Sequence, residues 1–423
     1  MKTTITLIAV IFSFGLSALA QDCSTGRYFD EVFTTVDVTS DIPYGSNIDL
    51  NGATVNLALD VYEPAGDTLA ERPLIIWAHG GSFIGGNKTG TDVVPLSEDF
   101  AKKGYVTASM SYRLGMNGIP FPGPDSVDAT ETVLRAMHDA RAAVRFFKKD
   151  FAENGNTYRI DTNNIFFGGV SAGGVIAVHM AYLDKESEIP TSYIDTSQAG
   201  LGGGIQGNTG NPGYKGTVRA IISSAGALRD TAWMEAGDTP VISFHGDADG
   251  TVPFGTDIIT MIQVFPIMMV DGSSSIHERA NNLGINNCFV PWPGQDHVPH
   301  VTDAAYYDSL VTLSTNFLLQ FVCGTPANCS YGPVGINEIS YENNKALEVY
   351  PNPAGSSVKI SLKNQSLNNS TVQLYDAYGR TVRSSASVYS NELTIERGDL
   401  PSGLYFVKIL NEKGQHTARL IFE

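Results

Sequence analysis

Residues 165–173 read Ile-Phe-Phe-Gly-Gly-Val-Ser-Ala-Gly, an apolar stretch that runs directly into a Gly-x-Ser-x-Gly turn. A helical pattern follows from Ala172 to Leu183, so the motif lies between a predicted strand and a predicted helix. The glycines allow a sharp turn that would strain the backbone of Ser171 and expose its hydroxyl. This context predicts that Ser171 is a nucleophile; the alternative is a glycine-rich helix start that only packs closely.

Apolar stretches of strand length alternate with helical patterns from residue 55 to residue 322. In chain order we predict strands at 55–61, 74–78 and 105–111, a helix at 130–151, a strand at 164–168, a helix at 172–183, strands at 218–223, 240–244 and 288–291, and a helix at 303–322. The run at 74–78 is continuously apolar, which is typical of a strand covered on both faces. The alternation predicts an α/β fold with a doubly wound, mostly parallel sheet.

A turn rich in backbone donors follows the strand at 74–78, where residues 79–83 read His-Gly-Gly-Ser-Phe. In acyl transfer the carbonyl oxygen becomes negatively charged, and preorganised N–H groups stabilise that charge. We therefore expect an oxyanion hole formed by the backbone N–H groups of Gly80, Gly81, Ser82 and Ala172. The alternative is that the glycines only permit a tight turn, and His79 itself is expected to be structural.

A serine nucleophile needs an imidazole to accept its proton and a carboxylate to orient that imidazole. Two later strand ends supply them: residues 245–253 read His-Gly-Asp-Ala-Asp-Gly-Thr-Val-Pro, and residues 294–297 read Gly-Gln-Asp-His. The chain order nucleophile, acid, histidine is the order that this architecture requires. Spacing scarcely separates the members of each pair, but Asp249 is preferred to Asp247 and His297 to His300.

Other segments allow two interpretations each. Residues 112–125 and 254–270, the latter with Phe265, Met268 and Met269, could line a substrate pocket or be ordinary core. Segment 184–217 is rich in Gly, Ser, Asn and Thr. A surface insertion is favoured there over a lid, because the preceding helix carries the chain away from the carboxyl edge of the sheet. His138 and His179 fall inside predicted helices and are expected to be structural.

The first 20 residues predict a signal peptide, because Lys2 precedes a short apolar run that ends in Ala18-Leu19-Ala20. A membrane anchor is the weaker alternative, since this run is too short to span a bilayer comfortably and no later segment is long enough. The formal net charge of −17 argues against nucleic acid and anionic membranes as partners.

Four cysteines, Cys23, Cys288, Cys323 and Cys329, can pair in three ways in an oxidising compartment. Cys323 and Cys329 are close enough in sequence for a local loop. No His or Cys spacing resembles a zinc site, and we expect neither a metal nor a cofactor.

The end of the chain has a different composition. Residues 330–339 fit a linker, and residues 340–423 carry nine Lys and Arg against eight Asp and Glu, so the acidic surplus lies upstream. Alternating apolar residues at 358–362, 372–374 and 405–409, separated by turn signals, predict a small all-β sandwich over 340–423. Residues 21–329 would then form the catalytic domain.

Residues 45–325 resemble the carboxylesterases of the α/β-hydrolase superfamily that combine a His-Gly-Gly-x-Phe/Trp turn with a Gly-x-Ser-Ala-Gly motif. Residues 112–114 and 139–144 are similar to stretches found between those two motifs. The resemblance implies Asp249 as the acid and His297 as the base. Ser82 replaces the third glycine of the commoner turn. The small neighbours of Ser171 favour esters over peptides, because peptidases of this fold usually have an aromatic residue there.

The tail resembles the C-terminal sorting domain of the type IX secretion system of Bacteroidetes. The motifs are Val-Tyr-Pro-Asn-Pro-Ala at 349–354, Leu-Tyr-Asp-Ala-Tyr-Gly-Arg at 374–380 and Leu-Pro-Ser-Gly-Leu-Tyr at 400–405. This implies passage through the periplasm to the cell surface or medium, with the outer-membrane secretion machinery as a partner. The alternative is a carbohydrate-binding or spacer domain.

Together these features predict a secreted carboxylic ester hydrolase that acts through an acyl-enzyme, without a transmembrane anchor in the mature chain. Its substrate would be a small or polymer-linked ester, such as acetyl or feruloyl groups on polysaccharide, or an aromatic polyester. A serine peptidase of the same fold and a non-catalytic surface-binding protein are the alternatives.

Overall fold

The computed structural model describes residues 23–119, 121–261, 265–329, 347–363, 366–367, 369–376, 381–388, 390–411 and 414–423. The chain divides into two compact units between residues 331 and 332. The predicted signal peptide (1–20) and linker (330–339) lie outside the described residues. Within the described ranges, no helix is both long and apolar enough to cross a membrane.

The first unit alternates strands and helices, as predicted. Its strands are β1 (Val36–Ile48), β2 (Thr54–Pro64), β3 (Arg72–Ala78), β4 (Val106–Met110), β5 (Ile160–Val170), β6 (Ala220–Ser224), β7 (Ala227–Leu228), β8 (Val241–Gly246), β9 (Thr256–Met261), β10 (Phe265–Gly272) and β11 (Asn287–Trp292). Its helices are α1 (Val94–Lys102), α2 (Ser126–Glu153), α3 (Ala172–Tyr182), α4 (Ser273–Leu283) and α5 (Ala304–Val322). Short 3₁₀ turns cover Glu186–Glu188, Gly204–Gln206, Thr231–Trp233 and Pro299–Val301.

Eight of these strands form the central sheet, in the order β1-β2-β4-β3-β5-β6-β8-β11. The six strands from β4 to β11 run parallel, and only β1 and β2 are antiparallel to their neighbours. The predicted α/β class with a mostly parallel sheet is therefore confirmed. Carboxyl ends of parallel strands meet at one edge, so the turns that follow β3, β5, β8 and β11 are brought together.

The side chains of β3 alternate between two hydrophobic cores. Leu74, Ile76 and Ala78 pack in the core that includes α2 and α3, whereas Ile75 and Trp77 pack in the core that includes α1 and α5. Successive side chains of a strand point to opposite faces. Helices on both faces therefore explain why residues 74–78 are apolar without interruption.

Two features of this unit differ from the sequence-based expectations. Strand β1 is an additional edge strand, largely exposed and interrupted by two register shifts. Residues 256–261 and 265–272, expected only as apolar patches, form the paired strands β9 and β10, the hairpin of this unit, and β10 also pairs with β7.

The disulfides also differ from the pairing that sequence proximity suggests. Cys23 is bonded to Cys323, and Cys288 is bonded to Cys329. The first bond joins the start of the described chain to the end of α5. The second ties the last residues of the unit to strand β11. Both bonds close long loops, whereas a Cys323–Cys329 bond would have closed a short one.

The insertion at 184–217 packs against α2 and its surroundings. His138 Nε2 lies 2.7 Å from the carbonyl oxygen of Gly204, and Arg145 Nε donates to the carbonyl of Gly210 at 2.9 Å. The insertion also buries apolar side chains of its own, including Ile189, Ile194, Leu201 and Ile205.

The second unit is an all-β domain. Its strands are β12 (Leu347–Tyr350), β13 (Ser357–Leu362), β14 (Ser370–Asp376), β15 (Thr381–Val388), β16 (Glu392–Glu396), β17 (Gly403–Asn411) and β18 (Gly414–Phe422). They form two sheets, β12-β13-β16 and β15-β14-β17-β18. The apolar residues that alternate along β13, β14 and β17 share one buried core, which confirms the predicted small β domain.

Candidate active site

Ser171 lies in a sharp turn between β5 and α3. Its φ of 55° and ψ of −115° are unusual for a residue with a side chain, and such a conformation costs about 1–3 kcal/mol. Space for the turn comes from two glycines: a Cβ on Gly169 would overlap the backbone of Gly173, and a Cβ on Gly173 would overlap the carbonyl of Ala78. The N–H of Ser171 donates to the carbonyl of Ser224 at 2.8 Å, which joins the turn to the end of β6.

His297 and Asp249 meet Ser171 at the carboxyl edge of the sheet. His297 Nε2 lies 2.8 Å from Ser171 Oγ, and His297 Nδ1 lies 2.7 Å from Asp249 Oδ2. Their loops follow the paired strands β8 and β11 and are held together by Asp296, whose Oδ1 accepts from the N–H groups of Gly250 and His297. The arrangement is an unbroken hydrogen-bonded chain from hydroxyl to imidazole to carboxylate.

The carboxylate of Asp249 is buried but well satisfied. Its Oδ1 accepts from the N–H groups of Thr251 and Val252 at 2.8 and 2.9 Å, and its Oδ2 lies 3.3 Å from His245 Nε2. Burial by itself raises the pKa of Asp249, but the hydrogen bonds from His245 and His297 outweigh it and hold the pKa well below its usual value. Asp249 is therefore ionised at neutral pH and can orient His297.

The turn after β3 contains three of the four residues whose N–H groups were predicted to form the oxyanion hole, namely Gly80, Gly81 and Ser82. The N–H of Gly80 donates to Asp92 Oδ2 at 2.7 Å, so it is occupied. The backbone has positive φ angles of 115° at Gly81 and 53° at Ser82. In the part of the chain that the structure describes, the N–H groups of Gly81, Ser82 and Ala172 have no acceptor. Ser82 and Ala172 border the cavity beside Ser171.

Comparison with known proteins accounts for both units. Residues 59–228 match the BD-FAE family, and residues 348–423 match the secretion system C-terminal sorting domain. The first unit has the α/β-hydrolase fold, and the second unit matches the sorting-domain family. The sorting domain marks the chain for type IX secretion to the cell surface or the extracellular space.

Curated relatives of the α/β-hydrolase domain include carboxylesterases, and the matches are partial. Carboxylesterase 3B of Mus musculus is 32% identical over 121 residues, which cover 28% of this chain and 19% of the relative. Liver carboxylesterase 1 of Oryctolagus cuniculus is 30% identical over 156 residues, covering 37% of this chain and 24% of the relative. The chain thus spans about a fifth of the length of the curated relatives it matches.

Solved structures similar to the α/β-hydrolase include esterases. Esterase 2 of Thermogutta terrifontis phosphoramylated by tabun is 22% identical in sequence. The match covers 70% of this chain and 97% of the esterase chain, with a TM-score of 0.46. A truncated carbohydrate esterase from gut microbiota is 19% identical in sequence. The match covers 69% of this chain and 98% of the esterase chain, with a TM-score of 0.45.

The other candidate residues of the α/β-hydrolase have different contacts. Asp247 is exposed and accepts from the N–H of Gly294 at 2.6 Å. His300 is buried beside Trp292, with Nδ1 3.4 Å from Ser224 Oγ, and burial lowers its pKa to about 3. His79 stacks on Tyr112 with ring centroids 4.3 Å apart. None of these contacts, all among described residues, reaches Ser171.

Sequence reasoning missed two residues that hold the α/β-hydrolase site in place. His245 contacts the acid, and its place in the His-Gly-x-x-Asp segment was the signal that could have indicated it. Asp92 fixes Gly80, but it lies in a loop without periodicity, twelve residues further along the chain. Nothing in the sequence pattern connects it with the turn after β3.

A narrow apolar cavity of about 70 Å³ opens beside Ser171. Both apolar segments of uncertain role contribute to it, 112–125 through Met116 and 254–270 through Met268, whereas Met269 is exposed. The side chain of Phe265 lies outside the described part. The cavity is lined by Ser82, Phe83, Met116, Ala129, Val133, Ser171, Ala172, Val175, His179, Ala227, Thr251, Val252, Ile259, Thr260, Ile267, Met268 and Val270.

Proposed function

We propose that the chain is a secreted carboxylic ester hydrolase with Ser171, His297 and Asp249 as its catalytic triad. The observation that carries the proposal is the hydrogen-bonded chain from Ser171 Oγ through His297 to Asp249, next to a cavity of acyl size. The partial likeness to carboxylesterases supports the same conclusion.

In the proposed reaction, Ser171 Oγ attacks the ester carbonyl while His297 Nε2 takes its proton. The oxygen of the tetrahedral intermediate then accepts hydrogen bonds from the N–H groups of Gly81, Ser82 and Ala172. His297 returns the proton to the departing alcohol, which leaves an acyl-enzyme. Water, activated by His297, then releases the acid and restores Ser171. These steps use no cofactor.

The cavity supports a short acyl group. The cavity is small, with a volume of about 70 Å³, and its lining is mostly apolar. Among the polymer-linked acyl groups that export suggests, an acetyl group is smaller than a feruloyl group and suits a small cavity better. We therefore propose short-chain acyl esters, free or on a polymer, as the substrate class.

The sorting domain gives the proposed partner, which is the secretion machinery of the outer membrane. We propose residues 21–329 as the catalytic domain, 330–339 as the linker and 340–423 as the sorting domain, with residues 1–20 removed as a signal peptide.

The test is hydrolysis of p-nitrophenyl esters from acetate to decanoate by the mature protein. Ser171→Ala and His297→Ala should abolish the activity, and His300→Ala should retain it. Amides with the same acyl groups, measured in parallel, separate an esterase from a peptidase. No hydrolysis of any ester, or full activity of Ser171→Ala, would contradict the proposal and favour a binding protein.

A further inference from the structure

A second apolar cavity lies next to the one beside Ser171. It is small, about 10 Å³, and includes residues of the 184–217 insertion, namely Ile189, Pro190 and Ile194. Three residues line both cavities: Val133 of α2, His179 of α3 and Met268 of β10. These three side chains are therefore the partition between the two spaces.

His179 is held firmly in this partition. Its Nδ1 donates to the carbonyl of Val175 at 2.8 Å, and its Nε2 accepts from the N–H of Arg229 at 3.4 Å. Its ring also meets Trp233 edge to face, with ring centroids 5.9 Å apart. Burial lowers its pKa to about 4, so the ring is neutral at physiological pH. Both ring nitrogens have partners, and the side chain is fixed from three sides.

We propose that His179 is the residue that limits acyl-chain length, by closing the acyl cavity against the space beneath the insertion. This rests on the proposed esterase function and deepens it. The chain enters the cavity beside Ser171 and ends at the imidazole, because the space beyond His179 is closed to it. The 184–217 insertion then forms the far wall of the second cavity, which would extend the acyl cavity if His179 were absent, and it is not a lid over Ser171.

The sizes of the two spaces predict what removal of the ring would do. Truncation of His179 to alanine removes five ring atoms and joins the cavities, so the acyl group gains room for a longer chain. One methylene in a fitted apolar pocket is worth about tenfold or more in kcat/KM. The preferred substrate should move from short esters towards p-nitrophenyl octanoate.

The experiment compares kcat/KM for p-nitrophenyl acetate, butyrate, hexanoate, octanoate and decanoate. In His179→Ala, the ratio of octanoate to butyrate should rise at least about tenfold. His179→Phe loses the hydrogen bonds but keeps the bulk, so it should retain the wild-type profile. Leu183→Ala is the matched control, because Leu183 lines only the second cavity and its truncation leaves the partition intact.

Met268→Ala is the alternative variant if His179→Ala does not fold. Met268 lies on the β9–β10 hairpin and also separates the two cavities. A shift towards longer esters in His179→Ala, or in Met268→Ala if His179→Ala does not fold, supports the proposal. An active wild type with an unchanged profile in folded His179→Ala, or in Met268→Ala in its place, overturns the role of His179 and leaves the esterase function standing. Inactivity of the wild type on every ester removes the esterase function and this inference together.

Discussion

The Nε2 atom of His245 lies 3.3 Å from Oδ2 of Asp249, the oxygen that also accepts the hydrogen bond of His297. The same nitrogen lies 3.1 Å from the carbonyl of Val252, which can only accept, so Nε2 carries the proton. Nδ1 of His245 lies 2.8 Å from the hydroxyl oxygen of Ser273. Asp249 is thus contacted by a second imidazole, which makes His245 a positioning residue.

We expect His245→Phe to lower kcat about tenfold with little change in KM, because Asp249 loses a donor to its charged oxygen and orients His297 less well. His245→Gln retains an N–H donor and should recover part of the rate. Wild-type kcat in His245→Phe would show that Asp249 does not need this contact.

Asp92 should contribute to stabilisation of the transition state more than to substrate binding. Asp92→Ala removes the acceptor that fixes Gly80, so the neighbouring N–H groups of Gly81 and Ser82 lose their alignment. We expect kcat to fall about tenfold or more while KM stays similar. Asp92→Asn retains an acceptor oxygen and should stay close to wild type. Equal rates for the alanine and asparagine variants would rule out this role.

Three buried histidines should make the domain acid-sensitive. Burial lowers the pKa of His138 and His300 to about 3 and that of His179 to about 4, against about 6.5 in the unfolded chain. Below pH 6.5 the unfolded state takes up protons that the folded state does not. The free energy of unfolding therefore falls as the pH drops from 6.5 towards 4.

Urea unfolding of wild type and His300→Phe at pH 7.5 and pH 5 measures this effect. The loss of stability between the two pH values should be about 2 kcal/mol smaller in the variant, at about 1.4 kcal/mol per pH unit for one site. An identical loss in both proteins would mean that His300 is protonated equally in the folded and unfolded states.

Removal of the Cys288–Cys329 bond should destabilise the first unit. The bond joins residues 41 apart in sequence, and loop-closure entropy for that length corresponds to about 4 kcal/mol. Replacement of both cysteines by serine should therefore lower the denaturant midpoint without changing ester hydrolysis at room temperature. An unchanged midpoint would show that the unfolded chain gains little freedom when this bond is absent.

Periodicity and motif context predicted the α/β sheet, the two units and the loops on which Ser171, Asp249 and His297 lie, because chain order and strand ends determine them. Periodicity failed at β9–β10, where Ile258 and Met269 are exposed beside the inward-facing Ile259 and Met268. Adjacent apolar residues hide the two-residue period of a strand.

Contacts between distant loops could not be read from the sequence either. Cys23 and Cys323 are 300 residues apart, and only the completed fold brings the start of the chain to the end of α5. The hydrogen bond between Asp92 and Gly80 depends in the same way on how a loop without periodicity folds back.

The Cys288–Cys329 bond also determines how the first unit responds to force. Tension applied to the chain beyond residue 329 enters through Cys329, passes across the sulfur atoms, and reaches strand β11 in the central sheet. Helix α5, which ends at Val322, is bypassed and is not peeled from its face of the sheet. In a protein pulled by its tail, α5 would therefore stay packed, and the load would fall on β11, the edge strand that pairs with β8.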